Sequence, residues 1–142
     1  MFKNKFKSLI NSITSYNDIF LNKNLAKLGD NYINFIYSLA RSIRTKNVSG
    51  QKVAGKILMQ SIRDSELNKY LPSRLSSHDI ADAVEALMVY IWLAEKMSFN
   101  EMIEILVAEL NMGNVDTRKE EFDTAILAFT KLINEISKLD LF

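Results

Sequence analysis

Between His78 and Ala94 the chain reads HDIADAVEALMVYIWLA, and from Ile80 onward every residue except Asp82 and Glu85 is apolar or aromatic. A run of that composition predicts a helix that is hydrophobic on every side and therefore buried. Two carboxylates are carried inward with it. Their spacing of three sets them one turn apart on the same face. Two anions about 4 Å apart repel by about 4 kcal/mol at an effective dielectric near 20, and desolvation adds to that cost. Something has to compensate. The options are a shared proton, a basic partner or a divalent cation, the last being what paired hard oxygen ligands suit best. The segment is too short and too charged to span a bilayer, so no membrane partner is expected.

The rest of the chain has to cover that helix. Four glycines and one proline in 142 residues, with little strand-like alternation, predict an all-α, compact multi-helix bundle, with residues 1–142 as a single domain. The N-terminal stretch places Phe2, Phe6, Leu9, Ile10 and Ile13 at helical spacing with Lys3, Lys5 and Lys7 between them, and the face continues to Phe20 and Leu21. It lacks the unbroken apolar run of a secretory signal, so a packed amphipathic helix is expected rather than a membrane-surface one. The second long helix is predicted from about Lys23 to Ile43, with Leu25, Leu28, Tyr32, Phe35, Ile36 and Leu39 as its apolar stripe. Gly29 in its middle costs about 1 kcal/mol relative to alanine, so it is expected to mark a close backbone approach to another helix or a ligand. Asp30 is the only acid of that helix, and Asn34 follows one turn later on the same face.

Beyond a polar loop from Arg44 to Gly50, Ser49 is expected to cap a helix holding Val53, Ile57, Leu58 and Ile62. A short helix through Leu71 stops at Pro72, and Ser76 or Ser77 caps the central helix. Ser98 with Glu101, and Thr117 with Glu120, read as capping boxes opening the last two helices. The final helix carries Phe122, Ile126, Phe129, Ile133 and Ile136 on one face.

The absence of cysteine and the single histidine, His78, exclude thiol nucleophiles, zinc-thiolate sites and multi-histidine metal sites, and fit a reducing cytoplasmic setting. A net charge of +1 is no overall nucleic-acid signature, so any RNA contact must come from a local patch. No phosphate-binding glycine loop, nucleophile elbow or zinc-helix motif is present. Carboxylate chemistry is what remains.

Two motifs, LAKLGDNYINF at Leu25–Phe35 and DIADAVEALMVYIWL at Asp79–Leu93, together resemble the ribonuclease III catalytic domain, most closely the archaeal ribonuclease III-like proteins that consist of that domain alone. Leu28, Gly29 and Asp30 match the family's Leu-Gly-Asp signature, and Asp82, Ala83, Glu85, Ala86 and Leu87 match its later Asp-Ala-x-Glu-Ala-Leu. Order and separation agree over roughly Asn22 to Leu93. The resemblance implies an all-α endonuclease domain that dimerises and hydrolyses double-stranded or structured RNA with magnesium or manganese. Asp30, Asp82 and Glu85 would be its catalytic metal ligands. No double-stranded RNA-binding domain is expected, so Lys46, Lys52, Lys56, Arg63, Arg74 and, beside the acids, His78 become the expected RNA contacts.

Two positions depart from the family pattern. Where the signature has a glutamate four residues before the aspartate this chain has Ala26, and a further acid often found three residues earlier is replaced by Lys23. Three carboxylates can still hold one magnesium with waters filling its shell. The alternatives are a scaffold that keeps the fold and binds RNA or protein without cutting, and a structural network in which the acids pair with lysines or arginines.

Overall fold

The computed structural model describes residues 2–142, with side chains from Lys5 onward, so the expected roles of the Phe2 and Lys3 side chains lie outside the described residues. Its helices are α1 (Phe2–Ser8), α2 (Tyr16–Phe20), α3 (Lys23–Thr45), α4 (Gly55–Arg63), α5 (Ser77–Leu93), α6 (Phe99–Met112) and α7 (Arg118–Ser137), with a 3₁₀ turn at Glu66–Tyr70. No strand occurs among the described residues. Local chemistry sets most of the boundaries. Asn22 and Ser76 accept hydrogen bonds from backbone N–H groups in the first turns of α3 and α5, and both expected capping boxes form at Ser98 and Thr117.

Helix α5 is the centre, as its composition requires. Ala83, Val84, Ala86, Leu87, Met88 and Ile91 are fully buried, and α2, α3 and α4 pack around it. Helix α7 closes the bundle against α4 and α6, burying Phe129, Ile133 and Ile136, while Phe122 and Ile126 sit at the edge of the core. The closest approach is between α3 and α5. A Cβ built on Gly29 would overlap the carbonyl oxygen of Glu85, so the missing side chain is what lets the two backbones touch.

That crossing shifts the buried face of α3 away from the expected stripe. Leu25, Ala26, Gly29, Ile33, Ile36, Tyr37 and Ala40 face inward, whereas Leu28 and Phe35 are 46% and 59% exposed. Small residues at 26 and 29 face α5 at the crossing, and close packing there outweighs the larger side chains nearby on the helix. The N-terminal reading is also corrected. Helix α1 ends at Ser8, a turn intervenes before α2, and Leu9 and Leu21 are exposed while Ile10, Ile13 and Phe20 are buried.

Ser49 caps nothing; α4 starts at Gly55, and its N-cap, Ala54, makes no side-chain hydrogen bond. Residues 49–54 instead run extended along α3. Ser42 Oγ donates to the Ser49 carbonyl and accepts from the Ser49 N–H, both at 3.0 Å. Ser38 Oγ does the same for Gln51, at 3.0 and 2.9 Å, and Asn34 Oδ1 accepts from the Val53 N–H at 2.8 Å. Two residues of extended chain and four residues of helix both advance about 6 Å, so every second residue of the segment meets every fourth residue of α3. This ladder carries Lys52 and Val53 to the rim of a cleft between α3 and α5.

Candidate active site

Asp30 from α3 and Asp82 and Glu85 from α5 line one open cleft of about 660 Å³, together with Lys23, Lys52 and His78. The Gly29 crossing brings Asp30 beside Glu85, and the two carboxyl groups are hydrogen-bonded to one another. Such a bond needs a proton, which resides on Glu85. Burial, then the bond to Asp30 and the charges of Asp30 and Asp82, push the Glu85 carboxyl up to about 8, against the weaker pull of Lys52. The same hydrogen bond from Glu85 holds the Asp30 carboxyl below the usual range, helped by the Lys52 charge and by Asn34. Asn34 Nδ2 donates to Asp30 Oδ1 at 3.1 Å while its own oxygen holds Val53, so one amide ties the acid to the extended segment.

The other end of the cleft is neutralised differently. Lys23 Nζ lies 2.6 Å from Asp79 Oδ1 and 3.0 Å from Asp82 Oδ2. His78, largely exposed, places Nε2 3.5 Å from the same Asp82 oxygen across one turn of α5. The hydrogen bond from Lys23, reinforced by Ser76, lowers the Asp79 carboxyl, and the Asp79 and Asp82 carboxylates raise the Lys23 amine. Asp79 therefore acts through an ion pair as well as at the positive end of α5, where its N–H donates to the Ser76 hydroxyl. Of the three ways to compensate the central acids, the structure shows a basic partner at Asp82 and, through the raised carboxyl of Glu85 beside Asp30, favours a proton at the other pair.

The donor chemistry fits a hard divalent cation, since three carboxylates face one cleft and one of them, Glu85, is pushed up by burial and by the other two acids despite Lys52. The ligand set is not pre-closed. No group of three acids or histidines among the described residues forms a ready metal cluster, and Asp82 is engaged by Lys23.

A family model described as Ribonuclease III matches residues 23–140, a span that contains α3 to α7 and every acid of the cleft. The chain belongs to the ribonuclease III family. No curated protein matches it significantly. Membership extends the likeness past Leu93 to the C-terminal helices, and makes an RNA-processing endoribonuclease the activity against which the cleft is to be judged. No helix among the described residues is long and apolar enough to cross a membrane.

Against that family background, the expected RNA contacts divide. Lys52 and His78 line the acid cleft; Lys46, Lys56, Arg63 and Arg74 are exposed but are not among its walls. Lys46 ends α3 in the left-handed region, and Arg74 lies in the loop before α5. Two cleft cations were not foreseen. Lys23 was legible only as a lost acid, and Lys27, one turn further along α3, gave no signal beyond sharing its face.

Proposed function

We propose that the chain is a divalent-cation-dependent endoribonuclease that hydrolyses phosphodiester bonds of double-stranded or structured RNA, with Asp30, Asp82 and Glu85 holding magnesium or manganese. One observation carries the reading: acids from two helices far apart in sequence converge on a single open cleft, where burial and then Asp30 and Asp82 push the Glu85 carboxyl up to about 8 and Lys52 supplies too little positive charge to offset them. A bound cation would supply that charge, polarise the phosphate and lower the pKa of water. The chain's own groups do the positioning. Asn34 fixes Asp30, the extended segment holds Lys52 at the rim as a phosphate contact, and the Gly29 crossing keeps Asp30 against Glu85.

The test is cutting of a duplex RNA by pure protein with and without magnesium or manganese. Wild type should cut only with the ion, and Asp82→Asn or Glu85→Gln should lower the rate by about 100-fold or more. An inert wild type, or unchanged cutting by Asp82→Asn, overturns the reading.

The second reading is an RNA- or protein-binding scaffold that has lost the chemistry. Ala26 at the cleft wall and the ion pair between Lys23 and Asp82 favour it. It predicts binding indifferent to magnesium and no cutting; Ala26→Glu discriminates, because gained cutting identifies a site that lacks only that ligand.

The proposal includes a homodimer. Leu28, Phe35 and Ile43 leave an apolar stripe on the outer side of α3, and Phe35 and Leu39 line a shallow groove with the fully exposed Val48. An apolar surface of that kind supports a second copy as its cover. Sedimentation at micromolar concentration should give a dimer that Phe35→Glu dissociates.

A further inference from the structure

Lys23 stands in the first turn of α3 and reaches over the cleft to the first two turns of α5. Its ammonium bridges Asp79 and Asp82, and the Asp82 oxygen that it touches is also the one facing His78. The cation acting on Asp30 and Glu85 is a different one, Lys52, carried in by the extended segment. The three acids are thus served unequally: Asp82 has a positive charge in direct contact, whereas Asp30 and Glu85 have only the Lys52 ammonium at the cleft rim, with no ion pair among the described residues.

The bridge is not locked. The Lys23 side chain is 51% exposed and Asp82 only 18%, so water screens the pair and its strength is that of a replaceable surface contact. A divalent ion recruiting Asp82 would have to take that carboxylate from the ammonium and leave the ammonium beside a dication. Both effects oppose binding, and both vanish when the ammonium is removed.

We infer that Lys23 is a tethered counter-cation that competes with a divalent ion for Asp82 and thereby weakens the chain's affinity for that ion. The inference rests on reading Asp30, Asp82 and Glu85 as the ion's ligands. It turns Lys23 from a mere absence of acid into a residue that sets the ion concentration at which the cleft fills.

The experiment is calorimetric titration of manganese into RNA-free protein, for wild type, Lys23→Met, Lys23→Gln, Lys23→Arg and the double variant Lys23→Met/Asp82→Asn, each checked for helicity by circular dichroism. The two neutral variants should bind manganese about tenfold more tightly than wild type, Lys23→Arg should stay within about twofold of it, and adding Asp82→Asn should abolish the gain. The neutral pair provides for one of them failing to fold. Manganese binding by the neutral variants that equals wild type, is weaker or is undetectable at millimolar ion overturns the inference, as does a gain that survives Asp82→Asn. Cutting of duplex RNA, read separately, keeps the two conclusions apart. Tighter manganese binding without cutting sustains the counter-cation role while the nuclease reading fails; cutting by wild type with unchanged affinity in the neutral variants does the reverse.

Discussion

Glu121 and Glu85 are both half-buried carboxylates reached by groups of α3, one from α7 and one from α5, and their surroundings push them in opposite directions. Burial raises both. At Glu121 three donors outweigh it: the Tyr37 hydroxyl at 2.9 Å, the Gln51 amide at 2.6 Å and the Arg41 guanidinium, whose Nε lies 3.0 Å from each carboxylate oxygen. Its carboxyl is held below the usual range. At Glu85 the hydrogen-bonding neighbour is another acid, Asp30, and the carboxyl rises. A charge surrounded by donors ties elements together, here α7 to α3 and the extended segment. A charge that its neighbours leave under-compensated is a place where a ligand has something to do.

Three substitutions separate the two environments. The largest effect is expected from Gly29→Ala, which forces a methyl group into the Glu85 carbonyl and must push α3 off α5. Urea denaturation should show a loss of about 3 kcal/mol, with Asp30 drawn away from Glu85. A loss under about 1 kcal/mol would mean that the crossing yields easily and that the pairing of the acids is soft.

Arg41→Ala comes next, since it makes Glu121 resemble Glu85 by removing its only charged donor in the network. A loss of about 2 kcal/mol at neutral pH is expected from urea midpoints. The wild-type contribution of Glu121, whose folded value is lowered, is present above the ordinary 4.5 and fades as pH falls, so the difference between variant and wild type should shrink in acid.

The smallest effect is a gain. In chelating buffer Glu85 keeps its proton in the folded chain up to about 8 and loses it near 4.5 when unfolded, so its contribution is complete below 4.5 and is lost as pH rises through about 8. Glu85→Gln, which has no proton to lose, should therefore match wild type in acid and exceed it by about 1 kcal/mol at pH 8, after allowance for solvent screening. Parallel stability curves for the two proteins between pH 5 and pH 8 would refute the shared proton.

What was legible beforehand follows the range of the forces involved. The capping boxes at Ser98 and Thr117 act over three residues and can be read as text. The burial of α5 follows from its composition, and Gly29 announced a close approach because nothing cheaper explains glycine in a helix interior. The ladder from Ser49 to Val53 was not legible, since it depends on extended chain lying beside α3 at a matched rise, and Ser49 offered a familiar local role as a cap. Leu28 and Phe35 were placed inside for a similar reason: periodicity gives the apolar side of a helix, but the depth of a neighbour's approach selects which residues of that side are covered.

The sequence by itself determined an all-α chain, a buried central helix carrying two acids that needed compensation, and the motifs that tie it to its family. Only the tertiary structure decided how that compensation is divided. It set Lys23 on Asp79 and Asp82, 56 and 59 residues away, and set Asp30 beside Glu85, so that one carboxyl is held down and the other pushed up. The reason is that helix formation and burial answer to neighbours a turn apart, whereas the charge felt by a carboxylate depends on whichever side chains the folded chain brings within a few ångströms.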